Sequence, residues 1–328
     1  MINVTLFCRP ESYKAVSMDV YANNLFGKMR HLSNLCVKSF KPRDSRIPLV
    51  GKYITLWLYY PAIAKRQKAD INHILDHSIS HLIGRLDPKK TIITCHDLTG
   101  LEIPGSTTFW KRKILWSNII KNMSNARKVI ADSQHTKDDI LKYSSYNSND
   151  VVVVYAGIST NFRRIEEDKI EERFKFRKST ILHVGHDNFY KNFEGLIKAI
   201  ALLGKELVLV KVGPISKRQS RLLKRLKIDF VQFLGLSEEE LTHVYNAADI
   251  LVYPSWHEGF GFPVLEAMAC GCPVVCSNAG SLAEVASDAA IMVSPDDIAG
   301  ITEAIEQVLE NQGLRQELSE KGLEQAKK

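Results

Sequence analysis

Two carboxylates, Glu258 and Glu266, bracket seven residues within "HEGFGFPVLEAMACGCPVV", residues 257–275. Glu258 stands in a glycine- and aromatic-rich turn, and Glu266 is the only charge in the near-apolar run that follows. An ionised carboxylate is an acceptor with two oxygens, suited to receiving a pair of neighbouring hydroxyls. Gly259 and Gly261 let backbone N–H groups approach an anion directly, and the first turn of a helix is itself an anion site. Pro263 suits such a first turn and Gly271 suits its end, which places Glu258 on a loop and Glu266 near the helix start, close to the positive dipole end. A diphosphate against the loop, with sugar hydroxyls gripped on either side, fits this chemistry. A turn acid beside a helix acid is the plain structural alternative. Two more residues have the right character. Lys191 precedes Asn192 behind a strand and Gly185, a place that favours a functional cation; its plain alternative is a solvated surface lysine. His96 follows the apolar stretch "TIITC" beside Asp97, where a histidine either serves chemistry or sits satisfied in a core.

The elements that must position these residues alternate between strand and helix. "INVTLF", "TIITCHD", "RKVIADS" and "VVVVYAG" read as buried strands, and "SMDVYANNLFGKMRHL" as a helix capped by Ser17. A second series runs through "TILHVGH", "EGLIKAIALLG", "LVLVKVG", "SKRQSRLLKRLK", "VQFLG", "SEEELTHVYNAA" and "DILVYPS", with a capping box of Ser237 and Glu240. Such alternation builds parallel sheets from βαβ units. The pattern breaks around "YAGISTNFRR", so the expected join lies near residues 156–162, with domains at 1–158 and 159–328. The expectation is an α/β chain of two Rossmann-like, doubly wound domains facing a cleft, with ligands bound beyond the carboxyl ends of the strands.

Composition narrows the partners. The 328 residues are 45% apolar and 25% charged, an ordinary globular balance. No apolar run approaches the ~18 residues of a membrane span, and the start reads as a strand rather than a signal peptide. The six cysteines form no CxxC pair, which suggests a reducing, cytoplasmic compartment. Residues 1–157 carry 23 Lys/Arg against 12 Asp/Glu, and the remainder 21 against 25. A basic first half suits a solvated surface or an approach to anionic lipid or an anionic acceptor. Nucleic acid is not expected, since no basic recognition helix or aromatic RNA-binding strand is present. In "FWKRKILWSNIIKNM", Leu115, Ile119 and Met123 share a helical stripe flanked by Lys111, Arg112 and Lys113. That helix either packs into a core with a solvated basic end or lies on an anionic membrane.

The bracketed acids, with their flanks, resemble the E-x7-E signature of the retaining GT-B glycosyltransferases of family four. "ILHVGHDNFYKNFEGLIKAI", "FLGLSEEELTHVYNAADILVYPS", "TCHDL", "ADSQHTKDDI" and "YAGISTNF" resemble further segments of that family, in the same order. The resemblance spans about residues 70–326 and points toward bacterial mannosyltransferase-like enzymes of surface-polysaccharide assembly. It implies that Glu266 holds the ribose hydroxyls, and that Glu258 with the Phe260 and Gly261 amides contacts the transferred sugar and phosphates. It implies that Lys191 neutralises the leaving diphosphate, that Gly185 lets the first turn of the second domain approach the phosphates, and that His96 assists near the donor sugar. The implied reaction takes a UDP- or GDP-sugar donor and a glycan or lipid-linked acceptor, with peripheral contact to the inner membrane face as an accompanying expectation.

No cofactor and no metal are expected. No DxD motif occurs, and His73, His77 and His81, though spaced at i, i+4 and i+8, need not share a face. Two departures from the family stand out. The arginine that often joins the lysine is replaced by His186 and Tyr190, leaving Arg163, Arg164 or Lys211 as supplements. The N-terminal glycine-rich loop is replaced by "RPESYKAVSMDVYANN", where Ser17 is a candidate substitute donor. "SEKGLEQAKK" resembles the family's penultimate helix, and the aromatic segment that normally follows is absent from the sequence. A catalytically idle nucleotide-sugar-binding or scaffold protein is the alternative function. An NAD-dependent oxidoreductase is disfavoured, because no G-x-G-x-x-G follows the first strand.

Overall fold

The computed structural model describes residues 1–10, 16–43, 51–67, 69–102 and 109–328, with the side chains of 16, 17, 52, 102 and 109–113 outside that description. The chain divides into two compact units, Met1–Ala156 and Gly157–Lys328.

Among the described residues the first unit builds one six-stranded parallel sheet. Its strands are β1 (Ile2–Phe7), β2 (Leu35–Phe40), β3 (Ile71–Ile74), β4 (Thr91–Cys95), β5 (Lys128–Ala131) and β6 (Val151–Val153), in the order β2-β1-β3-β4-β5-β6. Phe7, Ile74, Ile93, Val129 and Ala131 are fully buried and form the core with Tyr60, Leu82 and Ile140. The helix Val16–Met29 starts ahead of Ser17, so Ser17 falls inside the first turn instead of capping it. The helix Phe109–Met123 turns Ile119 and Met123 into this core, while Ile114 and Leu115 are exposed. Two of the three stripe residues, Ile119 and Met123, are thus interior, as the core-packed alternative has it, and Leu115 faces solvent. The basic cluster Lys111–Lys113 lies outside the described side chains.

The second unit repeats the architecture with β7 (Ser179–Val184), β8 (Leu207–Val212), β9 (Phe230–Phe233), β10 (Ile250–Tyr253), β11 (Val274–Ser277) and β12 (Ile291–Val293). Their order is β12-β11-β10-β7-β8-β9, all parallel. β8, β10 and β11 are buried along their whole length, as expected for a parallel sheet covered on both faces. Ile181, Leu209, Ile250, Val252 and Val275 pack against the helices Phe193–Leu203 and Ile298–Glu310. The expected capping box forms: Glu240 N donates to Ser237 Oγ at 3.2 Å, and Ser237 N to Glu240 Oε2 at 2.7 Å. The chain builds β7, β8 and β9 outward in one direction, then returns to place β10 on the other side of β7. The loops leaving β7 and β10 therefore open from the point where strand order reverses, the place where doubly wound sheets bind ligands.

Candidate active site

Those two loops carry most of the residues singled out by the sequence. β7 ends at Val184, and Gly185 turns away with φ of +139°, a conformation that excludes most side chains. Its N–H stays tied to the Val212 carbonyl at 2.9 Å. A short 3-10 turn, Phe189–Lys191, and a left-handed Asn192 then lead into the helix Phe193–Leu203. Asn192 is fastened by its own side chain, whose Nδ2 donates to the Pro295 carbonyl at 2.6 Å. From β10, the Trp256 N–H donates to the Tyr190 carbonyl at 2.8 Å, which stitches the two loops together.

The stitch brings Lys191 onto Glu258. The ammonium lies 2.8 Å from each carboxylate oxygen of Glu258 and 2.6 Å from the Tyr253 hydroxyl. Glu258 is buried at 8% exposure, and its carbonyl accepts from Ser281 Oγ at 3.0 Å. Two groups assigned separate tasks by resemblance are thus a single ion pair. Phe260 is buried against the Phe262 ring, with centroids 5.1 Å apart. Gly261 adopts φ of +100° immediately before the helix Phe262–Ala269, and a Cβ there would meet Leu282 Cδ2 at 2.4 Å. Only glycine fits that entry.

Glu266 is not in the first turn of this helix. The helix begins at Phe262, so Glu266 stands in the second turn, where dipole stabilisation has largely faded. Its Oε2 accepts from the Tyr245 hydroxyl at 2.7 Å. Burial pushes the carboxyl up to about 7; the Tyr245 hydrogen bond works against that rise, and the Glu238 charge adds to it. Glu266 is therefore poised between charged and neutral at ordinary pH.

The proposed supplements to Lys191 divide. Arg163 is exposed and donates to the Asn161 carbonyl at 3.2 Å. Arg164 lines a cavity of about 950 Å³ with Asp249 and Cys272, residues that precede β10 and β11 and so mark the opposite edge of the sheet from Gly185. Lys211 does reach the Gly185 turn, but it is fully buried. His186 is exposed on the loop, and Tyr190 OH accepts from Asn188 Nδ2 at 2.9 Å.

His96 belongs to the first unit, just beyond β4. Its Nδ1 lies 2.5 Å from Asp132 Oδ2 and its Nε2 2.8 Å from the Leu75 carbonyl. Two acceptors on two ring nitrogens demand the doubly protonated ring. Burial alone would lower the imidazole; the charge and hydrogen bond of Asp132, then Asp76 and the Leu75 carbonyl, outweigh it and hold it at about 9. The ring is thus a fixed cation with no lone pair left for a base. The other histidines go separate ways. His73 Nε2 pairs with Thr94 Oγ1 at 2.8 Å, His77 stacks on Trp116 at 5.2 Å, and His81 Nε2 meets the Leu56 carbonyl at 2.9 Å. They do not form a ligand set.

Sequence reasoning missed Tyr253, Tyr245 and Asp132, the partners that fix Lys191, Glu266 and His96. Tyr253 carried a signal, a polar tip closing the aliphatic strand "ILVY". Tyr245 and Asp132 carried none, since their roles arise only from packing between distant elements.

Comparison with known proteins bears on the family and the fold. A family model described as glycosyl transferases group 1 matches residues 164–325, and one described as glycosyltransferase family 4 matches residues 6–162. The chain belongs to the family-four glycosyltransferases. Among curated members, the O-antigen chain mannosyltransferase B of Escherichia coli is 28% identical over 252 residues, covering 73% of this chain and 66% of that protein. The serotype-specific mannosyltransferase WbdA of Escherichia coli is 29% identical over 263 residues, covering 74% of this chain and 32% of that protein. The chain thus spans under two thirds of the length of these relatives. Among solved structures, sucrose-phosphate synthase from Thermosynechococcus elongatus matches with a TM-score of 0.82 at 18% identity, covering 100% of this chain and 94% of that one. Anabaena HepE in complex with UDP and glucose matches at 0.76 and 15% identity, covering 99% and 95%. WaaG, a glycosyltransferase involved in lipopolysaccharide biosynthesis, matches at 0.73 and 15%, covering 99% and 95%. The family-four fold, GT-B, is the one adopted here.

Proposed function

We propose that this protein is a retaining hexosyltransferase, moving mannose or a similar hexose from a UDP- or GDP-sugar to a glycan or lipid-linked acceptor in cell-surface polysaccharide synthesis. The observation that carries the reading is the Lys191 ammonium, held by Glu258 and Tyr253 beside the Gly185 turn at the switch point of the second sheet. An anion arriving there meets a half-buried cation and a helix N-terminus. The mannosyltransferase relatives support the choice of sugar, and the UDP-bound HepE structure supports a nucleoside diphosphate at this fold's site.

In the proposed reaction the bond from the sugar's anomeric carbon to the diphosphate breaks while the acceptor hydroxyl bonds that carbon on the same face. The hydroxyl proton passes to the departing diphosphate. Charge grows on the leaving group in the transition state, so Lys191 helps differentially there. Glu266 receives ribose hydroxyls, and Glu258 with the Phe260 and Gly261 amides faces the sugar. The imidazolium of His96 acts as a fixed charge rather than as an acid–base group. The chemistry runs without a metal ion, the lysine and backbone amides carrying the phosphate charge.

Among the described residues no helix is long and apolar enough to cross a membrane. The basic first half suits a protein working at the cytoplasmic face against an anionic, lipid-bearing surface. Thermal shift with UDP- and GDP-sugars, followed by assay of nucleotide release and of the product's anomeric configuration, tests the reading. A protein stabilised by neither nucleotide and releasing neither refutes it.

A further inference from the structure

Lys211 is the only charged residue in β8, flanked by Val210 and Val212, and it is 0% exposed. A solvent-free ammonium is expensive compared with the aliphatic residue that would suit this strand. Its hydrogen bonds are specific. Nζ donates to the Gly185 carbonyl and to the Val212 carbonyl, the latter at 3.0 Å, and it lies 5.4 Å from the Phe193 ring centroid. Gly213 makes the meeting possible. At φ of +114° it brings the chain so close that a Cβ would stand 2.1 Å from the Gly185 oxygen and 3.1 Å from Lys211 Nζ.

The opposite side of Gly185 is covered by the other lysine. A Cβ on Gly185 would point at the Lys191 stem, 3.7 Å from Cε. The glycine turn is thus held between an ammonium beneath it and a lysine stem above it. The titratable groups around Lys211 are Lys191, Asp187 and His183, the last paired in register on β7. Burial first, then the Lys191 charge, lower the Lys211 ammonium to about 7, with Asp187 opposing.

We propose that Lys211 is a positioning residue for the diphosphate. Its buried ammonium pins the Gly185 carbonyl inward, which keeps the 185–191 turn shaped for phosphate and seats the Lys191 stem across it. Lys211 itself never touches the ligand. The inference rests on the reading of this turn as a nucleoside-diphosphate site.

The test compares nucleoside diphosphate with nucleoside. Lys211→Met fills the space without a donor, and Lys211→Gln is a second variant should the first fail to fold. Calorimetry with UDP and GDP should show at least tenfold weaker binding of whichever nucleotide the wild type prefers. Affinity for the matching nucleoside, uridine or guanosine, should be unchanged. A general structural defect would weaken both alike, and that result, or an unchanged diphosphate affinity in a folded variant, overturns the proposal. Lys191→Met made together with Glu258→Gln, so that no charge is stranded, supplies the control. Loss of diphosphate affinity in that control with none in the Lys211 variants overturns the inference alone. Full affinity in the control overturns the site reading and the inference together. Should neither Lys211 variant fold, hydrogen exchange on the wild type decides. Diphosphate, and not nucleoside, should slow exchange across residues 185–191, and equal effects overturn the proposal.

Discussion

Glu266 makes the most quantitative demand on the proposed site. If it grips the ribose, only its ionised form accepts both hydroxyls, and its carboxyl is raised to about 7. A group of that pKa is about one-eleventh ionised at pH 6 and ten-elevenths at pH 8, so its contribution to donor affinity should change about tenfold, or ~1.4 kcal/mol. Glu266→Gln keeps the shape and the Tyr245 contact but removes the charge. At pH 8 the loss should be about 1.5–3 kcal/mol, the range for a hydrogen bond to a charged group. The assay is nucleotide affinity by calorimetry at half-unit steps from pH 6 to 8, expressed as the ratio of wild type to variant. The ratio cancels the titration of Lys211, which both proteins share. It should climb about tenfold across the range. A ratio near unity at every pH refutes the ribose role, and a ratio that is large but flat refutes the raised pKa.

Three further outcomes are expected. Lys191→Met alone strands the buried Glu258 carboxylate and should lower unfolding free energy by about 3–5 kcal/mol; adding Glu258→Gln should restore most of the melting temperature and none of the nucleotide affinity. Asp132→Asn breaks the buried pair with His96 and should cost a similar about 3–5 kcal/mol in chemical denaturation. Because His96 is raised from 6.5 to about 9, its contribution is complete below pH 6.5 and lost as pH rises through 9, so the wild-type melting temperature should fall across that window by a component that His96→Gln lacks. Prolonged EDTA treatment should leave the transfer rate intact, and loss restored by magnesium or manganese would show that the phosphate charge is carried otherwise.

The α/β character was readable because each long strand is a short apolar run between turn residues, as in "LVLVKVG" and "DILVYPS". Weaker strands escaped. β2, "LCVKSF", lies at the sheet edge with two exposed residues and no clean alternation, and β12 has only three residues. The loop acid and the lysine were legible as types in context, but their union was not. It joins residues 67 apart and depends on β10 pairing with β7, a non-local choice of strand order. His96 was singled out by its place at a strand end, just past β4. Its protonation was hidden, because Asp132 and the Leu75 carbonyl reach it from other strands. Glu266 shows how little separates expectation from structure: a helix beginning at Phe262, one residue before Pro263, leaves it just beyond the first turn.

The contact between Lys191 and Glu258 has a consequence for how a donor enters. The cation at the proposed phosphate seat is already matched by a carboxylate, so the doorway carries almost no net field from this pair. Long-range steering of a polyanion toward it should be feeble, and association correspondingly insensitive to ionic strength. Admission becomes an exchange of one anion for another. On the proposed reading a diphosphate, with several oxygens to offer, would displace the carboxylate, while a singly charged visitor would gain too little to do so. On the same reading the displaced Glu258 would swing free as the phosphates lock in, and the resident carboxylate would act as a gatekeeper that admits by valence.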